Sequence, residues 1–136
     1  MTEERQPGRI PARVWPAMAV LLSFASPAAA DSLPISRVFG DEDGCTRHAD
    51  PDSNLDSGIT VEPNRLSGYE WACNFGSVRA FGDLEPNAFG VQLLCFSEGT
   101  PTIEHYIFQV QTDPSDSIDV MDGGGALLWS LKPCTQ

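Results

Sequence analysis

Asp50, Asp52, Asn54 and Asp56 occupy every second position of the stretch Asp50-Pro-Asp-Ser-Asn-Leu-Asp56. Oxygen ligands at that spacing are what a calcium loop supplies, so the stretch is a candidate calcium site, with Asp41, Glu42 and Asp43 near enough to join it. A helix-flanked calcium loop needs glycine at its sixth position and glutamate at its twelfth, where this chain has Leu55 and Val61. A solvated acidic loop built of Asx turns accounts for the same residues. His48 and His105 belong to no metal or catalytic motif, and no Gly-x-Ser-x-Gly elbow accompanies them. Asp122-Gly-Gly-Gly125 lacks the following helix that a phosphate loop requires and reads as a hairpin turn.

Tyr69, Glu70 and Glu98 are the candidate ligand-binding residues. Glu98-Gly99 directly follows Cys95-Phe-Ser, and the glycine marks a tight turn that holds the acid near Cys95. Glu70 lies in Tyr69-Glu-Trp-Ala-Cys73; if the strands carrying the two glutamates pair, their carboxylates come to one place.

The four cysteines, Cys45, Cys73, Cys95 and Cys134, are 28, 22 and 39 residues apart, without the close pairs of a structural zinc site or a thioredoxin-like centre. In a small exported chain an even count indicates two disulfides. Of the three connectivities, Cys45 with Cys73 and Cys95 with Cys134 is the pairing weakly preferred from the sequence, each bridge closing a loop worth about 3 to 4 kcal/mol of chain entropy.

Export is read from the N-terminus. Arg5, Arg9 and Arg13 precede an uncharged apolar run from Val14 to Ala25, and Ser26-Pro-Ala-Ala-Ala30 supplies the small residues of a cleavage site. Residues 1–30 are therefore expected to be a cleaved signal peptide, and 31–136 a single domain in the periplasm or outside the cell. The apolar run is shorter than the ~20 residues a membrane span needs, so no span is expected after cleavage. Residues 31–136 hold five Lys and Arg against seventeen Asp and Glu, a net charge of −12. Such a field repels nucleic acid and anionic membranes and favours a cationic partner, a basic protein among them; it also serves plain solubility.

The elements that must position these residues are strands. Period-two alternation runs through 59–61, 69–75, 78–81, 89–96, 103–111, 118–120 and 126–131, with turn chemistry between them, including Glu62-Pro-Asn-Arg65, Phe75-Gly-Ser77 and Asp113-Pro-Ser-Asp116. One more strand is expected near Ile35–Phe39, then a long loop. Tyr69, Trp71, Cys73 and Phe75 fall on one face, as do Phe89, Val91, Leu93 and Cys95. No sustained 3.6-residue period follows residue 30, so little helix is expected. Seven or eight short strands make an all-β antiparallel meander, closed as a small barrel or sandwich with two disulfides.

Gly44-Cys45, Tyr69-Glu70 with Cys73, Cys95 with Glu98-Gly99, and Cys134 together form a pattern. In it the chain resembles a group of small uncharacterised periplasmic proteins of alphaproteobacteria, which implies the compartment and no activity. Where that group ends in Tyr-x-Arg-Cys, this chain has Leu131-Lys-Pro-Cys134. It is also loosely similar to periplasmic lysozyme inhibitors, small exported β-barrels with a disulfide that act on a strongly basic enzyme. Ser67-Gly68 followed by Tyr69 stands near the Ser-Gly-x-x-Tyr of their inhibitory loop, with the tyrosine two residues early. The function expected is a non-catalytic binding or inhibitor module for a basic partner. The alternatives are a structural envelope-associated protein and a small hydrolase whose site assembles from carboxylates and a histidine. No cofactor is expected, with calcium at the acidic loop as the alternative.

Overall fold

The alternating apolar pattern closes on itself. The computed structural model describes Gly8 and residues 31–83, 85–112 and 116–135. Apart from Gly8, the expected export signal lies outside the described residues, as do three residues of the turn Asp113-Pro-Ser-Asp116. The elements are β1 (Phe39–Gly40), α1 (Glu42–Ala49), β2 (Thr60–Glu62), β3 (Arg65–Gly68), β4 (Trp71–Ala80), β5 (Ala88–Ser97), β6 (Thr100–Gln111), β7 (Ser117–Asp122) and β8 (Leu127–Pro133). Each strand pairs antiparallel with the next, and β8 returns to β1, so the all-β meander is a closed eight-stranded barrel. Among the described residues no helix is long and apolar enough to cross a membrane.

An eight-stranded barrel is just wide enough for inward side chains to fill it. Val61, Leu66, Leu93, Phe108, Ile118 and Val120 are completely buried there. Phe75 meets Phe108 edge-to-face with ring centroids 5.4 Å apart. Leu33 closes the end where the chain enters, its N–H bonded to the Pro63 carbonyl at 2.7 Å. The alternation read from the sequence matches in β4 and β5, where Cys73, Phe75, Val91, Leu93 and Cys95 are buried while Asn74, Leu94 and Phe96 are exposed.

Three local expectations are corrected. The strand near Ile35–Phe39 is reduced to Phe39–Gly40, because Asp41 starts a helix where a loop was expected. The Asp41 carboxylate oxygen accepts from the Gly44 N–H at 2.7 Å and from the Ile59 N–H at 3.0 Å, so one side chain caps α1 and fastens it to the start of β2. Eight residues do not make a stable helix alone. This one is held from outside, with Gly44 so close to the barrel that a β-carbon there would lie 2.1 Å from the Ile59 carbonyl oxygen. Second, Tyr69-Glu70 is a turn between β3 and β4 and not the start of a strand, since Gly68 pairs with Trp71. Third, Phe75-Gly-Ser77 does not separate two strands but is a bulge within β4.

The disulfides join Cys45 to Cys134 and Cys73 to Cys95, not the pairing preferred from the sequence. Antiparallel register is the reason for the second. Cys73 lies directly opposite Cys95 on β4 and β5, with α-carbons 3.9 Å apart, the close spacing of a pair that exchanges no backbone hydrogen bonds. Barrel closure is the reason for the first: Cys134 follows β8, which pairs with β1, and α1 folds back over that seam carrying Cys45. Two disulfides are in keeping with an oxidising compartment.

Candidate functional site

Two hairpins bring the candidate glutamates to one end of the barrel. Trp71, which follows Glu70, pairs with Ser97, which precedes Glu98, so the two turns flank the same end of the β4–β5 pair. Tyr69-Glu70 and Glu98-Gly99 are both two-residue connections, bounded by Gly68 with Trp71 and by Ser97 with Thr100. Glu70 has φ 58° and Glu98 φ 44°, and they are the two non-glycine residues in the left-handed region among those described. A β-carbon makes that conformation unfavourable, so each turn would be less strained with glycine. Strained residues of this kind gather at functional sites.

Tyr69 stands exposed beside Glu70, whose carboxylate pushes the phenol above its ordinary range; burial and Asp56 add to the effect. Asp56 belongs to the acidic loop and is exposed. Asp50, Asp52 and Asn54 are also exposed in that loop. The Asp50 carboxylate accepts from the Asp52 N–H at 3.1 Å, an Asx turn at the end of α1. Asp41, Glu42 and Asp43 start α1, where negative charge suits the helix dipole. Among the described residues no three His, Cys, Asp or Glu side chains gather as a metal ion would require.

An aromatic cluster missed by the sequence reading lies at the same end. Trp71 stacks on Trp129 with centroids 6.1 Å apart, and Tyr106 meets Trp129 edge-to-face at 6.4 Å. All three are half-buried and pack on the core. Trp71 lies across Gly68, where a β-carbon would come within 2.3 Å of the indole, so glycine there lets the ring fold over the barrel mouth. Burial, and then Glu104, raises the Tyr106 hydroxyl to about 12, with a smaller effect from Asp122. Glu104 and Tyr106 share the parity of buried Phe108 and therefore face inward. A carboxylate on the core parity of a strand was the available signal. Asp122 has a structural duty as well, one oxygen accepting from the Gly124 and Ala126 N–H groups at 2.9 Å each.

The histidines are not brought together. His48 lies in the last turn of α1 and lines a groove of about 590 Å³ with Arg47, Glu62, Arg65 and Trp71, whereas His105 is on the outer face of β6 beside Arg79 and Phe81. Arg47 is engaged locally, donating to the carbonyls of Ser57 and Gly58. Glu70 lines that same groove, so two carboxylates, an indole and the basic side chains of Arg47 and Arg65 meet there. No family model matches the chain, and neither a curated protein nor a solved structure does.

Proposed function

We propose that this chain is an exported, non-catalytic binding module, and that it engages a basic partner with the end of the barrel formed by the β3–β4 and β5–β6 turns. The observation that carries the reading is the pair of glutamates in left-handed turns at that end. Glycine would relax both positions, so the presence of an acid at each points to a use for the carboxylates outside the fold. Trp71, Trp129 and Tyr106 support it by supplying a platform beside them. The export signal read in residues 1–30 supports a location in the periplasm or outside the cell, and the two disulfides are compatible with it. The net charge of −12 in residues 31–136 would speed encounter with a basic protein.

The test is capture of a strongly basic protein, with lysozyme as the probe, by the oxidised 31–136 domain at low and high salt. The expected result is stoichiometric retention that weakens with salt and falls at least tenfold in the Glu70→Gln, Glu98→Gln double variant. Retention equal in both proteins, or none at low salt, would overturn the reading.

A further inference from the structure

The barrel is closed, but its strands end unevenly at this end. β6 pairs with β5 from Thr100 opposite Ser97 to Gln109 opposite Ala88. Its pairing with β7 stops at Tyr106 opposite Asp122. Residues Thr100 to His105 therefore have no strand beside them on the β7 side among the described residues, an open edge of six residues or about 20 Å.

The direction of the backbone groups along that edge follows from the ladder. The Phe75 N–H bonds to Asn64 on the β3 side, so Cys73, two residues earlier, also faces β3 and exchanges no bonds with Cys95. Cys95 then faces β6 and bonds with Thr102. Val110 has the same parity as Thr102, and its N–H goes to Asn87, again on the β5 side. Thr102 and Glu104 thus face β5, while the N–H groups of Ile103 and His105 and the carbonyls of Pro101 and Ile103 face the open side. The His105 carbonyl is closed off by the β7–β8 turn, since a β-carbon on Gly123 would sit 3.2 Å from it. Pro101 lacks an N–H, so the edge offers no donor at that position.

We propose that this edge takes an extended segment of the basic partner as an added strand. The proposal rests on the reading of a basic partner above and names the form its contact takes. Charge complementarity selects the occupant: Glu98 precedes the edge in its turn, Glu104 lies within it and Asp122 stands just past its end, both on the inward face, so cationic side chains at the inward-facing positions of an added strand meet acids. Ile103, 64% exposed, and its cross-strand neighbour Leu94 offer an apolar strip on the outer face to the side chains between.

The experiment uses the oxidised 31–136 domain, labelled with nitrogen-15, and three blocked octapeptides: alternating Lys-Val, alternating Glu-Val and alternating Lys-Pro, the last equally basic but unable to pair as a strand. The Lys-Val peptide should bind at least tenfold tighter than either other peptide and slow amide exchange at Ile103 and His105. Ile103→Pro, whose missing N–H faces the open side and leaves the β5 ladder intact, should weaken it at least tenfold. Equal binding of Lys-Val and Lys-Pro with no added protection at Ile103 overturns strand addition while leaving the basic-partner reading standing. Binding of the Glu-Val peptide as tightly as Lys-Val, or of none of the three, overturns both.

Discussion

Replacing Glu70 or Glu98 by glycine should make the protein more stable and a poorer binder. In the left-handed region a β-carbon costs roughly 1–2 kcal/mol. Glycine gives back about 0.5–1 kcal/mol through its greater freedom in the unfolded chain. With φ at 58° and 44°, each site should therefore gain about 0.5–1 kcal/mol on substitution. For a domain of this size that is a rise of about 2–4 °C in Tm per substitution, with both turns contributing in the double variant. Glu98→Gly creates a Gly-Gly hairpin turn, which two-residue connections accept readily. Glu70→Ala is the control, because it removes the carboxylate yet keeps the β-carbon and should leave Tm within about 2 °C. The assay is thermal unfolding of the oxidised domain followed by circular dichroism, paired with salt-dependent capture of lysozyme. A fall in Tm for either glycine variant would show that the glutamate side chain makes a stabilising contact larger than the strain, and refutes the argument. A rise in Tm with undiminished capture refutes the use of the carboxylates in binding.

The two disulfides should contribute unequally, since they close loops of very different length. On the chain-entropy model, removing Cys45–Cys134, with a separation of 89 residues, costs about 4.6 kcal/mol, and removing Cys73–Cys95, with a separation of 22, costs about 3.4 kcal/mol. Denaturant unfolding of the two double-alanine variants should rank them in that order. The Tyr106 hydroxyl, held at about 12, should ionise well above the range of a free tyrosine in an absorbance titration. Because its pKa is raised by folding, its contribution to stability is complete below about pH 10 and is lost as pH rises towards 12. Trp129→Leu, which opens the platform beside it, should move that ionisation down.

Much of this architecture was legible in the chain because a strand announces itself locally. The rows Val91-Leu93-Cys95 and Trp71-Cys73-Phe75 alternate as a half-buried strand must, and the turns Glu62-Pro-Asn-Arg65 and Asp122-Gly-Gly-Gly125 fall between strands as their chemistry required. α1 was hidden because it buries almost no apolar side chain of its own; it depends on Asp41 as a cap and on the fit of Gly44 against Ile59, neither of which has a period. β3 was hidden because its four residues include a single buried apolar side chain, Leu66. Glu98-Gly99 was readable as a tight turn from its glycine, whereas Glu70 carried no such mark.

Residue types and alternation by themselves determined that the chain would fold as an antiparallel all-β meander with Cys73 and Cys95 inward, since side-chain direction along a strand is a local consequence of the backbone. Register and closure were decided only in three dimensions. They place Cys73 opposite Cys95, bring Cys45 to Cys134 across the β8–β1 seam, and set the Glu70 and Glu98 turns at the same end as Trp71, Trp129 and Tyr106. They also leave β6 running past the end of β7. These relations join residues tens of positions apart through strand pairing, and alternation along one strand carries no information about the offset of its neighbour.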